Sequence, residues 1–181
     1  MRVLIAVVVC WGIGCASTSS NVPSSDFRST DVALFDDAID LVDAPVIVEG
    51  QWTGGFERRV SRADLIAAVH VGSLSSDLVK RRSAYRLNVK VGERLKGSSS
   101  HEIVLRVRDD DPGYESIRVN EDRLLSHPWI AFVKWEADSK SPELIAHWHL
   151  SPDSPAVRDK VDFLLRHPTT GPSIQHDVAD P

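Results

Sequence analysis

The chain has 181 residues, 42% of them hydrophobic and 26% charged, enough for one domain with its own core and too few to argue for two. Its formal charge is −5, and losing residues 1–14 would remove only Arg2 and leave −6. A mildly acidic chain without a basic stripe lacks the clustered Lys and Arg that phosphate-backbone binding needs, which argues against nucleic acid as a partner.

The N-terminus, "MRVLIAVVVCWGIGC", places Arg2 before an unbroken apolar run from Val3 to Trp11. Even counted to Gly14 the segment spans 12 residues, whereas a helix crossing the hydrocarbon core needs about 20. Residues 1–14 therefore read as a signal peptide rather than a membrane span. Cys10 lies within that segment, so after cleavage at most one cysteine, Cys15, remains and no intramolecular disulfide is expected.

The four residues "GIGC" at 12–15 resemble the lipobox of bacterial lipoproteins, with Gly12 standing where that family usually has Leu. The resemblance implies that Cys15 is acylated, palmitate included, becomes the new N-terminus and anchors the protein to a membrane. Ala16 is not the Asp that retains such proteins at the inner membrane, which points to an outer-membrane lipoprotein of the cell envelope. The alternative is ordinary cleavage after Ala16, using Gly14 and Ala16 as a small-x-small site, giving a soluble secreted or periplasmic protein.

Residues 17–30, "STSSNVPSSDFRST", are Ser or Thr at eight of fourteen positions. Such a stretch buries too little apolar surface to offset chain entropy and reads, with Cys15, as a tether over 15–30. The tail at 168–181 has similar composition, leaving a single β-rich domain at 31–167.

Within the domain, "DVALFDDAIDLVDAP" sets Phe35, Ala38, Ile39 and Val42 at helical spacing, with Pro45 as the stop. "PVIVEGQW" reads as a strand and "TGG" as a turn. The apolar run "ADLIAAVHVGSL" fits a strand buried on both faces. Alternation is clearest in "SAYRLNVKVGE", where Tyr85, Leu87, Val89 and Val91 interleave with Arg86, Asn88 and Lys90. "HEIVLRVR" repeats it, and the Gly- and Ser-rich segment between them suits a hairpin.

"NEDRLLSHP" predicts a turn or two of helix. "PWIAFVKWE" puts Trp129, Ala131, Val133 and Trp135 on one face and Ile130 and Phe132 on the other. "PELIAHWHL" alternates Leu144, Ala146, Trp148 and Leu150 against Ile145, His147 and His149. In "SPAVRDKVDFLLRHP", Ser154 is a natural N-cap, Pro155 suits the first helical position, and Val157, Val161, Leu164 and Leu165 form an apolar stripe. The expected fold is mainly β with flanking helices: a small antiparallel, partly closed OB-like barrel, with an N-terminal and a C-terminal helix packed on it.

The order "ADLIAAVHVGSL … YRLNVKVGERLKG … EIVLRVR … WIAFVKW", over about residues 63–150, resembles bacterial secreted proteins with a netrin-module or metalloproteinase-inhibitor-like OB-type barrel. The inhibitors of that fold grip a protease zinc through an N-terminal cysteine amine held by disulfides. This chain has no such disulfides, and an acylated Cys15 has no free amine, so no inhibitory residue carries over. What the resemblance implies is a fold and a secreted setting, with a role as peptidase modulator standing on analogy alone.

Among side chains with chemistry, "HWH" stands out. On a strand His147 and His149 share a face two residue rises apart, a spacing that suits two ligands of one metal. A third ligand would come from His70, His101, His127 or a carboxylate. The structural alternative is two histidines facing solvent while Trp148 packs inward. The contiguous carboxylates of "RDDDPGYE" fit a solvated turn better than the alternating donors of a calcium loop. Two basic clusters, Lys80-Arg81-Arg82 and Arg58-Arg59-Arg62, suit lipid headgroups or simply soluble strand edges. No serine sits in a G-x-S-x-G elbow. The tryptophans read as core, with Trp52 beside its turn the one candidate for a binding surface. No cofactor is implied. The functional expectation is a lipid-anchored, non-catalytic binding or structural module with an unknown protein or ligand partner. The rival is a metal-binding protein or metal-dependent enzyme using His147 and His149.

Overall fold

A computed structural model describes residues 26–40, 47–48, 51–52, 55–79, 82–137 and 144–168. Cys15 and the segment read as a signal peptide lie outside these residues, as do 169–181. A 3-10 turn (Ser29–Asp31) leads into the short α1 (Val32–Phe35) and β1 (Ala38–Ile39). After β2 (Ile47–Val48) and β3 (Gln51–Trp52) come α2 (Phe56–Arg62), β4 (Leu65–Val79), β5 (Arg82–Lys96) and β6 (Glu102–Arg108). The chain closes with α3 (Tyr114–Val119), α4 (Glu121–Ser126), β7 (Pro128–Ala137), β8 (Leu144–Pro152) and α5 (Pro155–Arg166).

Six strands form one mixed sheet in the order β1-β8-β7-β4-β5-β6, antiparallel except for the parallel pair β1 and β8. The sheet curls into a half-barrel, with β1 and β6 as its open ends. Curvature originates in β4, which pairs β7 over Leu65 to His70 and β5 from Ile66 to Val79. Register shifts between Ile66 and Ala67, Ala67 and Val69, and Val71 and Ser73 mark bulges that bend and twist the strand between its two partners.

Alternation then divides the apolar residues between two faces. Leu65, Val69, Leu87, Val89, Leu105, Trp129, Val133, Trp148 and Leu150 fill the concave side. Ile66, Ile130 and Phe132 face outward and are covered by Leu34, Phe35, Phe56, Val60, Val157 and Val161 from α1, α2 and α5. Polar handles on the tryptophans are satisfied: Trp129 Nε1 donates to the Leu124 carbonyl at 3.2 Å, and Trp148 Nε1 donates to the Arg106 carbonyl at 2.8 Å. The second bond runs from β8 to β6 although those strands do not pair.

The C-terminal helix forms as its sequence predicts. Ser154 Oγ accepts the Val157 amide at 3.3 Å, Pro155 takes the first position, and Val157, Val161 and Leu164 are buried. The N-terminal helix does not. Its apolar spacing predicted a helix through Phe35, Ala38, Ile39 and Val42, but the helix ends at Phe35 and Ala38 adopts φ 64°, outside the helical region. The chain turns there so that Ala38 and Ile39 pair with His149 and Leu150. Residues 41–46 lie outside the described residues. "PVIVEGQW" is likewise two short strands paired with each other, not one strand of the main sheet.

Gly97 follows β5 with φ 74°, and a Cβ there would stand 2.0 Å from the Asp64 carbonyl oxygen. Both the backbone region and the space demand glycine. Gly97→Ala should lower the unfolding free energy by at least about 2 kcal/mol in urea titration; an unchanged midpoint would contradict this close approach.

Candidate functional site

Because β8 alternates, Trp148 and Leu150 point into the concave core while His147, His149 and Ser151 point to the other face. That face is not open to solvent. Residues 26–40 lie across it as a strap, and His149 is fully buried. The solvent-facing alternative for the two histidines is corrected on this point: their face is the right one, but aspartates more than a hundred residues earlier cover it.

Five aspartates hold the strap. Asp26 accepts from Lys134 Nζ at 2.6 Å and from Arg62 at 2.7 Å. Asp31 is gripped by the Arg62 guanidinium, Nε to Oδ1 at 2.9 Å and Nη2 to Oδ2 at 2.6 Å, a two-pronged geometry that fits a carboxylate well. Asp36 lies 2.9 Å from His147 Nδ1, and Asp37 lies 2.5 Å from His149 Nδ1. Asp40 accepts from Ser151 Oγ at 2.6 Å. It also sits 3.1 Å from His149 Nε2, but out of line, so that buried nitrogen has no hydrogen-bond partner among the described residues.

Other groups complete the seat. Glu136 reaches His147 Nε2 at 3.1 Å, and Phe27 stacks on the same imidazole with centroids 4.1 Å apart. Arg59, buried, donates Nε to the Leu34 carbonyl at 2.6 Å and reaches Asp37 at 3.4 Å. Lys134 Nζ, also buried, donates to Asp64 at 2.8 Å, and the second oxygen of Asp64 accepts the Trp135 amide at 2.9 Å. The strap's sharpest bend, Ala38, is backed by Gly113, where a Cβ would fall 2.3 Å from the Ala38 Cβ.

Electrostatics follow these contacts. Burial of the His147 ring opposes its protonation, but hydrogen bonds to Asp36 and Glu136 outweigh that and raise its pKa above the usual 6.5. Arg62 lowers the pKa of Asp31. Burial pushes Asp37 and Asp40 upward, yet His149 for both, with Ser151 for Asp40, brings them below the ordinary value. The hydrogen bond from Lys134 is the main cause of the low Asp26 pKa.

Chemically, the arrangement holds chain to chain. His147 has a carboxylate on each ring nitrogen, and His149 is sealed from solvent. The two histidines engage different carboxylates, and among the described residues no three His, Cys, Asp or Glu side chains are arranged around one metal ion. His70 on β4, His101 before β6 and His127 before β7 are all exposed. Trp52 pairs through its backbone with Ile47, and its side chain lies outside the described residues.

Sequence reading missed Asp64 and Lys134 and gave Arg59 and Arg62 a different role. The cluster Arg58-Arg59-Arg62 is not a lipid-facing or edge-solubilising patch as a whole: Arg59 is buried and Arg62 is committed to Asp26 and Asp31. The available signals were the three-residue spacing of Arg59 and Arg62, which aligns them on one helix face, and Lys134 at the outward position that follows Ile130 and Phe132. "RDDDPGYE" is a turn as read: Asp109 and Asp111 cap the Ser83 and Arg108 amides, and Asp110 pairs with Arg82. Comparison of the chain with protein families, characterised proteins and solved structures finds no match.

The buried and exposed partners of Lys134 should behave differently. Asp64→Ala, which strips a half-buried carboxylate from a buried ammonium, should cost about 3 kcal/mol in urea unfolding. Asp26→Ala should cost about 1 kcal/mol or less, because that carboxylate is largely exposed.

The pH dependence has a defined sign. His147 has a raised pKa, so its contribution is complete below 6.5 and is lost as pH climbs through the raised value. Asp31, Asp37 and Asp40 have lowered pKa values, so theirs is complete above 3.8 and is lost as pH falls. Thermal midpoints should peak between about pH 4.5 and 6.5, and His147→Gln should flatten the alkaline limb only. An equally steep alkaline limb in that variant would remove His147 as its cause.

Proposed function

We propose that the chain is an exported, lipid-anchored envelope module that binds or supports a partner and performs no reaction. The observation that carries this reading is the commitment of His147 and His149 to the strap. The side chains best suited to ligand or proton chemistry are engaged in holding residues 26–40 on the sheet. The lipobox-like "GIGC" and the Ser/Thr-rich segment after it support an anchor at Cys15, eleven residues before the strap begins at Asp26.

The OB-like reading of the barrel rests on strand order. The order β6-β5-β4-β7-β8 of the five long strands, with α3 and α4 between β6 and β7, supports an OB-like Greek-key path. The Trp148 to Arg106 bond spans the gap that a closed barrel would pair.

Two measurements test the proposal. Full-length protein produced in a bacterial host with lipoprotein maturation should lose residues 1–14, gain acyl mass on Cys15 and fractionate with membranes; Cys15→Ser should lack the added mass and leave the membrane. Wild-type protein without acyl mass would refute the anchor. Metal analysis of the same protein should find no stoichiometric zinc or copper. A bound metal lost in the double variant His147→Ala/His149→Ala would replace this reading with the metal-dependent one.

A further inference from the structure

The described residues cover the outer surface of the sheet on one side only. Over β8, β7 and the start of β4 it carries the strap, α2 and α5, whereas Arg86, Asn88 and Lys90 on β5 and Val104, Arg106 and Arg108 on β6 remain exposed. The register sets Arg86 directly opposite Arg106, with Ala84 opposite Arg108 one row away and Lys90 opposite Glu102 at the other end. Like charges directly across a ladder repel, and among the described residues no carboxylate pairs with either of these two arginines. Arg59, Arg62, Arg82, Arg118, Arg158 and Arg166 each hold a carboxylate. The side chains of Arg86, Arg106 and Arg108 have no hydrogen-bond or ion-pair partner among the described residues. Among the described residues the acidic groups near this face stand at its margins: Asp77, Glu102 and, beyond Arg108, Asp111, whose carboxyl feels the Arg108 charge.

We propose that this face lies against an anionic lipid surface. Its cations are spread over two neighbouring strands instead of converging in a cleft, which matches a plane of headgroups better than one small anion. Val104 adds an exposed apolar side chain between them. No exposed Trp, Tyr or Phe of β5 or β6 is available to stack a nucleobase. The inference deepens the lipid-anchor reading and rests on it for the setting. Residues 16–25 span at most about 35 Å, so an anchor at Cys15 would hold the domain close enough for weak electrostatic contact to operate at high effective concentration.

The test uses unacylated full-length protein, so its outcome is independent of whether Cys15 is modified. Co-sedimentation with phosphatidylglycerol/phosphatidylcholine vesicles should exceed that with phosphatidylcholine alone and should fall as salt is raised. Arg86→Glu/Arg106→Glu should reduce the phosphatidylglycerol-dependent part by at least about 30-fold, with an unchanged melting temperature, while Arg86→Lys/Arg106→Lys should keep it. The proposal is overturned if wild-type binding is indifferent to phosphatidylglycerol or to salt. It is equally overturned if the Lys variant loses as much as the Glu variant, or if a single-stranded oligonucleotide displaces the protein from the vesicles through the same two arginines.

Discussion

A buried ammonium organises one whole side of this molecule. Lys134 follows Ile130 and Phe132 on the outward face of β7 and is only 2% exposed. An uncompensated charge there would cost several kcal/mol, so carboxylates have to reach it. Asp64 comes from the corner between α2 and β4, and Asp26 from the start of the strap. Asp64 also ties its own amide to the Val133 carbonyl at 2.8 Å. Compensation of one charge thereby sets where α2 ends, where β4 enters the sheet and along which line the strap crosses.

The rest of the strap follows from that starting point. Phe35 is buried with Phe56, Phe132 and Val161, which brings Asp36 and Asp37 over β8. The histidines there are polar groups on a face that the apolar cover would otherwise leave unsatisfied. The aspartates meet them at the expense of backbone comfort, since Ala38 sits at φ 64° and needs the absence of a side chain at Gly113 beside it. His149 Nε2, a buried nitrogen without a hydrogen-bond partner among the described residues, lies at this same bend. Sheet, strap and α3 are consequently adjusted to each other at a single place.

How legible this was depends on the range of the forces involved. Strands with one wet and one dry face announce themselves, as Tyr85, Leu87, Val89 and Val91 do, and so does α5 with its local Ser154 and Pro155 signals. The pairing of His147 and His149 on one face also follows from period two. Their burial does not, because it is produced by aspartates distant in sequence. The helical spacing of Phe35, Ala38 and Ile39 was real but misleading: pairing with β8 overrode it. Arg59 and Arg62 looked like a surface cluster because α2 was not expected there, and without α2 neither its buried arginine nor its paired one has a reason to leave solvent.

The strap also has a mechanical character. Its attachments are strung along the chain in order: Asp26 on Lys134 and Arg62, Asp31 on Arg62, Asp36 on His147, Asp37 on His149 and Asp40 on Ser151. A pull applied from the N-terminal side reaches the first of these alone, and each later one bears load only after its predecessor has parted. Such a series peels rather than shears. Rupture force is then set by the strongest single attachment and not by their sum, while the work absorbed grows with their number, so a strap pulled from its leading end would yield in steps.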